Sequence, residues 1–186
     1  TMRRIAVIST GRQDWGIMRK LCRILHDADD FELVLMLGGM HLSKQFGCTR
    51  DLVMADGFTV AEEIDWIDDD KSLDPERQAG DSVWMTAEAL RRQNVDSAVV
   101  LGDRFETLSI ALAATMMQVP LIHLHGGEET EGAIDNGFRH AITKLSHLHF
   151  TSHENHTKRV IAMGEDPAVV HTVGAPGLDN LHRSDL

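Results

Sequence analysis

The sequence predicts an α/β protein, a Rossmann-like parallel sheet with helices on both faces, and three observations carry that reading. Short apolar runs alternate along the chain with longer segments of helical spacing. The runs are apolar throughout rather than every second residue, as strands buried on both faces are. Several of them end directly in glycine-bearing loops, where open α/β sheets bind their ligands.

The elements follow in order. Arg4 to Thr10 reads as a first strand, Asp14 to Ala28 as a helix on the apolar pattern Ile17, Leu21, Ile24 and Leu25, and Phe31 to Leu37 as a second strand. Asp14 is expected to cap that helix. His41 to Asp56 should form a loop and helix, Thr59 to Ile64 a short strand, and Pro75 to Asn94 a helix with Trp84 packed on one face. Asp65 to Lys71 reads as a solvated loop anchored by Trp66. Ser97 to Leu101, Leu121 to Leu124, Leu148 to Thr151 and Val169 to Val173 are the remaining strands. Phe105 to Met117, Ile134 to Leu145 and Glu154 to Met163 are the helices between them.

A length of 186 residues suits one well-cored domain, residues 1–186, with no linker or internal repeat dividing it. The formal net charge of -11 disfavours a nucleic-acid partner, since phosphate binding needs a basic patch and the Lys and Arg residues do not cluster. No apolar run reaches the roughly 18 residues of a membrane-spanning helix. Thr1 before Met2 reads as a cloning remnant. Cys22, within the helical pattern, and Cys48, in a loop, are expected to stay reduced, with a cytoplasmic location.

Chemistry concentrates at the strand ends. In Leu121 to Phe150, LIHLHGGEETEGAIDNGFRHAITKLSHLHF, an apolar run breaks into a loop rich in glycine, acid and imidazole. His125, Glu128, Glu129, Asp135, Arg139 and His140 are the polar groups that converge there. Asp135 and Arg139, four apart on a helix, share a face and are expected to pair. Asp103, after the strand ending at Leu101, reads either as the cap of the next helix or as an acid at the cleft mouth, with Arg104 beside it. Arg12 sits where a helix N-terminus favours an anion. His41 comes directly off the second strand and reads either as a loop histidine bonded to backbone or as a ligand contact. The many histidines lack a metal-site spacing, so no metal is expected, and no other cofactor is implied.

These blocks resemble the hydrolysing UDP-N-acetylglucosamine 2-epimerases of bacterial sialic and legionaminic acid pathways. The similarity lies in STGRQDWG (Ser9 to Gly16), GGMHLSKQFG (Gly38 to Gly47), LGDRFE (Leu101 to Glu106), HLHGGEETEG followed by Asp135 and RHAITKLSHLHF, and VGAPGLDNL (Val173 to Leu181). It implies the N-terminal half of a glycosyltransferase-B-type two-domain architecture, with a second, UDP-binding domain outside this chain and a homodimer in the complete enzyme. It implies a UDP-linked 2-acetamido sugar as partner, eliminated to a 2-acetamidoglucal and then hydrated. By the same resemblance Asp103 and Asp135 are catalytic, with either His125 or Glu128 beside them. Arg12, His41, Arg104, Gly126, Gly127, Arg139 and His140 would bind substrate. Other branches carry a catalytic glutamate immediately before the Gly-Gly, where this sequence has His125. Trp15 stands where the motif has tyrosine. Two rival classes remain open: a glycosyltransferase-like enzyme and a non-catalytic nucleotide-sugar binding module.

Overall fold

The computed structural model describes residues 2–180; Thr1, and Leu181 at the end of the VGAPGLDNL block, lie outside the described residues. Seven parallel strands form one sheet: β1 (Arg3–Ser9), β2 (Phe31–Gly38), β3 (Glu62–Ile64), β4 (Ser97–Leu101), β5 (Leu121–Leu124), β6 (Leu148–Thr151) and β7 (Val170–Thr172). Their order is β3-β2-β1-β4-β5-β6-β7, so the direction of winding reverses between β1 and β4. Six helices connect them: α1 (Arg12–Asp27), α2 (Arg50–Ala55), α3 (Pro75–Gln93), α4 (Phe105–Met116), α5 (Asp135–Leu145) and α6 (Glu154–Ala162). Short 3-10 turns fill the loop after β2, precede β7, and close the described chain.

Strand alternation divides the core in two. Ala6 and Ile8 of β1, Val34 and Met36 of β2, and Ala98 and Val100 of β4 meet Leu90 of α3, Ile110 and Ala114 of α4, and Ile142 of α5. Ile5 and Val7, Leu35 and Leu37, and Val99 and Leu101 face the other way, onto Trp15, Met18, Cys22 and Leu25 of α1. Cys22 is buried there, which pushes its thiol up to about 12, and both cysteines are free. An apolar groove of about 780 Å³ runs along this face, lined in part by Leu21, Ile24, Val99, Ile122, Leu148 and Phe150. Among the described residues no helix is long and apolar enough to cross a membrane.

Two expectations about local packing are corrected. Asp14 is not the cap of α1, which begins at Arg12 after extended Gly11; from the third helical position it accepts from Thr10 N at 3.0 Å and Thr10 Oγ1 at 2.7 Å. The carboxylate thus reaches back past the cap residue to Thr10 and ties the chain entering the helix to its first turn. Trp84 is 67 % exposed, because it faces outward from α3. Trp66 does anchor its loop: its ring lies so close to Gly38 and Gly39 that a Cβ at Gly38 would fall 2.3 Å from Cζ3.

Two fully buried histidines bind strand ends together. His123 on β5 donates from Nε2 to Gly102 O at 2.9 Å; its Nδ1, 3.1 Å from Thr143 Oγ1, then accepts from that hydroxyl, tying β5 to the end of β4 and to α5. His41 bridges Ser9 Oγ and Thr49 Oγ1, each at 2.8 Å. Burial pushes both imidazoles down from 6.5 to about 4. A depressed folded-state value means that the unfolded chain takes up protons first. The stability contributed by the neutral rings is complete above about pH 6.5 and is lost as pH falls toward 4.

Each ring contributes on the order of 3 kcal/mol across that window. His149 and His156, also lowered chiefly by burial, act in the same direction. The urea midpoint is therefore expected to fall between pH 6.5 and pH 4, with His123→Gln reducing the slope by about one proton. A midpoint constant across the window would contradict the buried neutral state.

Candidate active site

The carboxyl edge of the sheet carries the site, and its tightest feature is the turn leaving β5. His125 still bonds its backbone N–H to Phe150 O at 3.0 Å, but its φ is +64°, left-handed backbone that a non-glycine residue adopts at some cost. Gly127 follows at φ +78°, and a Cβ there would lie 2.4 Å from His156 O and 2.9 Å from Val160 Cγ2. At Gly126 a Cβ would sit 3.0 Å from both His123 Nδ1 and Thr143 Oγ1. Arg159 of α6 donates to Gly127 O. The turn is pinned between α5 and α6, so His125 leaves the sheet in a fixed direction.

His125 Nδ1 lies 2.7 Å from Glu128 Oε1, which also accepts from Ser152 Oγ at 2.7 Å. The hydrogen bond from His125, then that from Ser152, hold the Glu128 carboxyl at about 2 against the opposing effect of burial. An ionised carboxylate only accepts, so Nδ1 carries the proton and Nε2 of a neutral ring presents its lone pair. Nε2 is buried and has no hydrogen-bond partner among the described residues. The pair has the form of a carboxylate-oriented imidazole base.

Asp103 does not cap α4; Arg104 occupies that position, and Asp103 Oδ2 accepts instead from Arg139 Nη2. Nor do Asp135 and Arg139 pair, because the side chain of Arg139 turns inward, only 9 % exposed, to Asp103 on the neighbouring strand end. Asp135, in the first turn of α5, has no side-chain partner among the described residues. His140 Nε2 lies 3.1 Å from Glu129 Oε1, and its Nδ1 is buried without a partner. The six polar groups of the β5–α5 segment thus separate into a His125–Glu128 pair, a Glu129–His140 pair, an arginine drawn to Asp103, and an unpaired Asp135.

Arg104 sits at the switch point between β1 and β4, where ligands enter open sheets of this kind. Its guanidinium donates to Thr10 Oγ1, lies 3.6 Å from Asp14 Oδ2, and reaches the Gln13 carboxamide oxygen at 2.6 Å from Nη1. Arg12 is exposed on the first turn of α1, with no side-chain partner among the described residues. His41 lies behind this cluster, fully buried, with both nitrogens engaged. Trp15 keeps its polar tip satisfied by donating from Nε1 to Asp56 Oδ2 at 2.8 Å.

Sequence reasoning missed Ser152, His156 and Arg159, which back the β5 turn. The signal was present in Ser152-His153-Glu154-Asn155-His156, which follows β6 directly at the same edge of the sheet. Among the described residues no group of three or more His, Cys, Asp or Glu side chains is placed to hold a metal ion. The packing around Gly127 predicts that Gly127→Ala lowers stability by about 3 kcal/mol or more, since strain adds to a backbone clash. Gly137→Ala, inside α5 with nothing within 4 Å of its Cβ, is expected to raise stability by up to about 1 kcal/mol. Thermal unfolding of both variants checks the contrast; similar shifts in the two would refute it.

Comparison with known proteins bears on the fold and the family. The chain is 38% identical over 176 residues to a GDP/UDP-N,N'-diacetylbacillosamine 2-epimerase (hydrolyzing) of Campylobacter jejuni, covering 93% of this chain and 45% of that protein. It is 36% identical over 181 residues to polysialic acid biosynthesis protein P7 of Escherichia coli, covering 96% and 46%. It therefore spans about half the length of these curated relatives. Among solved structures, a UDP-N-acetylglucosamine 2-epimerase superposes with a TM-score of 0.85 at 14% identity, over 96% of this chain and 50% of that one. The 2-epimerase from Neisseria meningitidis bound to UDP-GlcNAc gives 0.83 at 17%, over 96% and 48%. A lipopolysaccharide galactosyltransferase, WaaB, shares the fold at a TM-score of 0.64 and 10% identity, over 92% and 45%. The sheet is thus Rossmann-like and consistent with the N-terminal half of a glycosyltransferase-B-type architecture. Residues 23–185 match the UDP-N-acetylglucosamine 2-epimerase family, to which the chain belongs.

Proposed function

We propose that this chain forms one wall of the cleft of a hydrolysing UDP-sugar 2-epimerase, which converts a UDP-linked 2-acetamido sugar to UDP and a free sugar inverted at C2. The observation that carries the reading is the His125–Glu128 pair at the ligand edge, in which the carboxylate holds Nδ1 and leaves a buried imidazole nitrogen without a partner among the described residues. In the first step a base removes the proton at C2, the C–H electron pair becomes the C1=C2 bond, and the C1–O bond breaks as UDP departs with the negative charge. In the second step water adds its hydroxyl to C1 while a proton is delivered to the opposite face of C2. Base and acid are thus required at one carbon from two directions.

Nε2 of His125 is the acid–base group at one face, with Glu128 holding its orientation. Asp135, without a side-chain partner among the described residues, is the second, and Asp103 is held at the cleft mouth by Arg139. Arg12, at the N-terminus of α1, stabilises the departing diphosphate, and Arg104 shapes the wall at the switch point. His140 lines the wall beside the sugar, Gly126 and Gly127 act only indirectly, as the buried residues that let the turn pack on α5 and α6, and His41 supports the wall through Ser9. A second, UDP-holding half and a pathway of the sialic acid type belong to the same proposal. The length of the relatives and the printed name of the Escherichia coli protein support it.

Incubating the complete protein with UDP-N-acetylglucosamine and with its diacetamido-trideoxy counterpart, and identifying the sugar released, tests the reading. A free C2-inverted sugar is expected; transfer to an acceptor, or binding without turnover, would overturn it. Asp103→Asn and Asp135→Asn are each expected to lower kcat by roughly a hundredfold or more. The two differ in stability. Asp103→Asn leaves the buried Arg139 charge without its partner and is expected to lower the melting temperature, whereas Asp135→Asn leaves it nearly unchanged. Wild-type rates in either variant would return that carboxylate to a structural role.

A further inference from the structure

We propose that Ser152 is a positioning residue for the His125–Glu128 pair, and that His156 behind it completes a chain of hydrogen bonds deciding which nitrogen of the His125 imidazole carries the proton. The proposal rests on the reading of His125 as the acid–base group. Ser152 Oγ is 2.7 Å from Glu128 Oε1 and 3.0 Å from His156 Nδ1. A serine hydroxyl has one proton, and the carboxylate must receive it, so Ser152 Oγ accepts from His156 Nδ1–H. The order is then fixed along the chain: His156 donates to Ser152, Ser152 to Glu128, and His125 Nδ1–H to the same Glu128 oxygen.

A plainer duty for Ser152, capping α6, is already filled. His153 holds the cap position and its Nδ1 accepts from Asn155 N at 3.1 Å. The Ser152 hydroxyl is therefore spent on Glu128. Its neighbours are fixed as well: Arg159 donates to Gly127 O, and its Nη2 lies 3.3 Å from Glu129 Oε2, so α6 supports the whole β5 turn.

The consequence concerns the tautomer of His125. A histidine without constraints prefers its proton on Nε2, which would occupy the lone pair the reaction needs. Two donors on one carboxylate oxygen hold Glu128 in the orientation that draws the proton to Nδ1 instead. With Ser152 removed, Glu128 keeps a single side-chain donor and turns more freely, and the Nε2–H form of His125 gains population.

The test is side-chain ¹⁵N NMR of the complete protein labelled at histidine, with His125 assigned by the signal missing in a His125 variant. At alkaline pH the wild type is expected to show Nδ1–H in His125, Ser152→Ala a mixture with Nε2–H, and Ser152→Thr the wild-type pattern. In parallel, kcat of Ser152→Ala should fall by about tenfold with KM changed less than about twofold, and Ser152→Thr should restore it. Nε2–H in wild-type His125, an unchanged tautomer in Ser152→Ala, or a changed tautomer with unchanged kcat would each overturn the proposal. The spectrum needs no turnover, so failure of the hydrogen-bond order is distinguishable from failure of the catalytic reading. In the latter case the tautomer would respond to Ser152 while a His125 variant kept the wild-type rate.

Discussion

A carboxylate ionised at neutral pH has no proton to give, and that asymmetry at Glu128 orders the groups around it. His125 and Ser152 both aim donors at one of its oxygens, and His156 must in turn donate to Ser152. The same asymmetry leaves His125 Nε2 with no partner among the described residues. Elsewhere a buried unpartnered nitrogen is a cost of about 1–3 kcal/mol. Here it is tolerated because a short, glycine-bearing turn fixes the ring before the nitrogen can find a protein donor.

That fixation is inherited from the fold. The last residues of β4, β5 and β6 lie side by side, and His123 joins two of them through Gly102 O while gripping α5 through Thr143. The Asp103–Arg139 pair makes a second link between the same strand end and the same helix. Loop residues at this edge are therefore held from the sheet below and from α5 and α6 on either side. A site of two acids and an imidazole requires such rigidity, since misplacement by an ångström costs most of the advantage of proximity.

The fold was legible almost throughout, because the parallel sheet writes itself as apolar runs and its helices as periodic stripes. Predicted strands such as Leu121 to Leu124 and Leu148 to Thr151 match the observed β5 and β6, and α5 begins one residue after the expected Ile134. Site residues were legible by position at strand ends but not by partner. Asp135 and Arg139 satisfy the helical spacing for a pair, yet Arg139 finds Asp103, thirty-six positions earlier in sequence, since strand order brings β4 beside β5. Asp14 and Asp103 both precede or open helices, where capping is the default expectation; Asp14 is drawn off by Thr10 in the chain entering its own helix, and Asp103 by Arg139, which only the assembled sheet supplies. Trp84 was misjudged for the opposite reason: apolar character predicts burial, but its position on α3 points away from the sheet.

Chemical rescue of a glycine variant at His125 addresses the acid–base assignment directly. The left-handed backbone at φ +64° suits glycine, so His125→Gly removes the imidazole without disturbing the turn. In the complete protein this variant should stay folded, lose turnover by roughly a hundredfold or more, and recover part of it when free imidazole is added to fill the space. Turnover of the UDP sugar at the wild-type rate by His125→Gly, unresponsive to imidazole, would contradict the account.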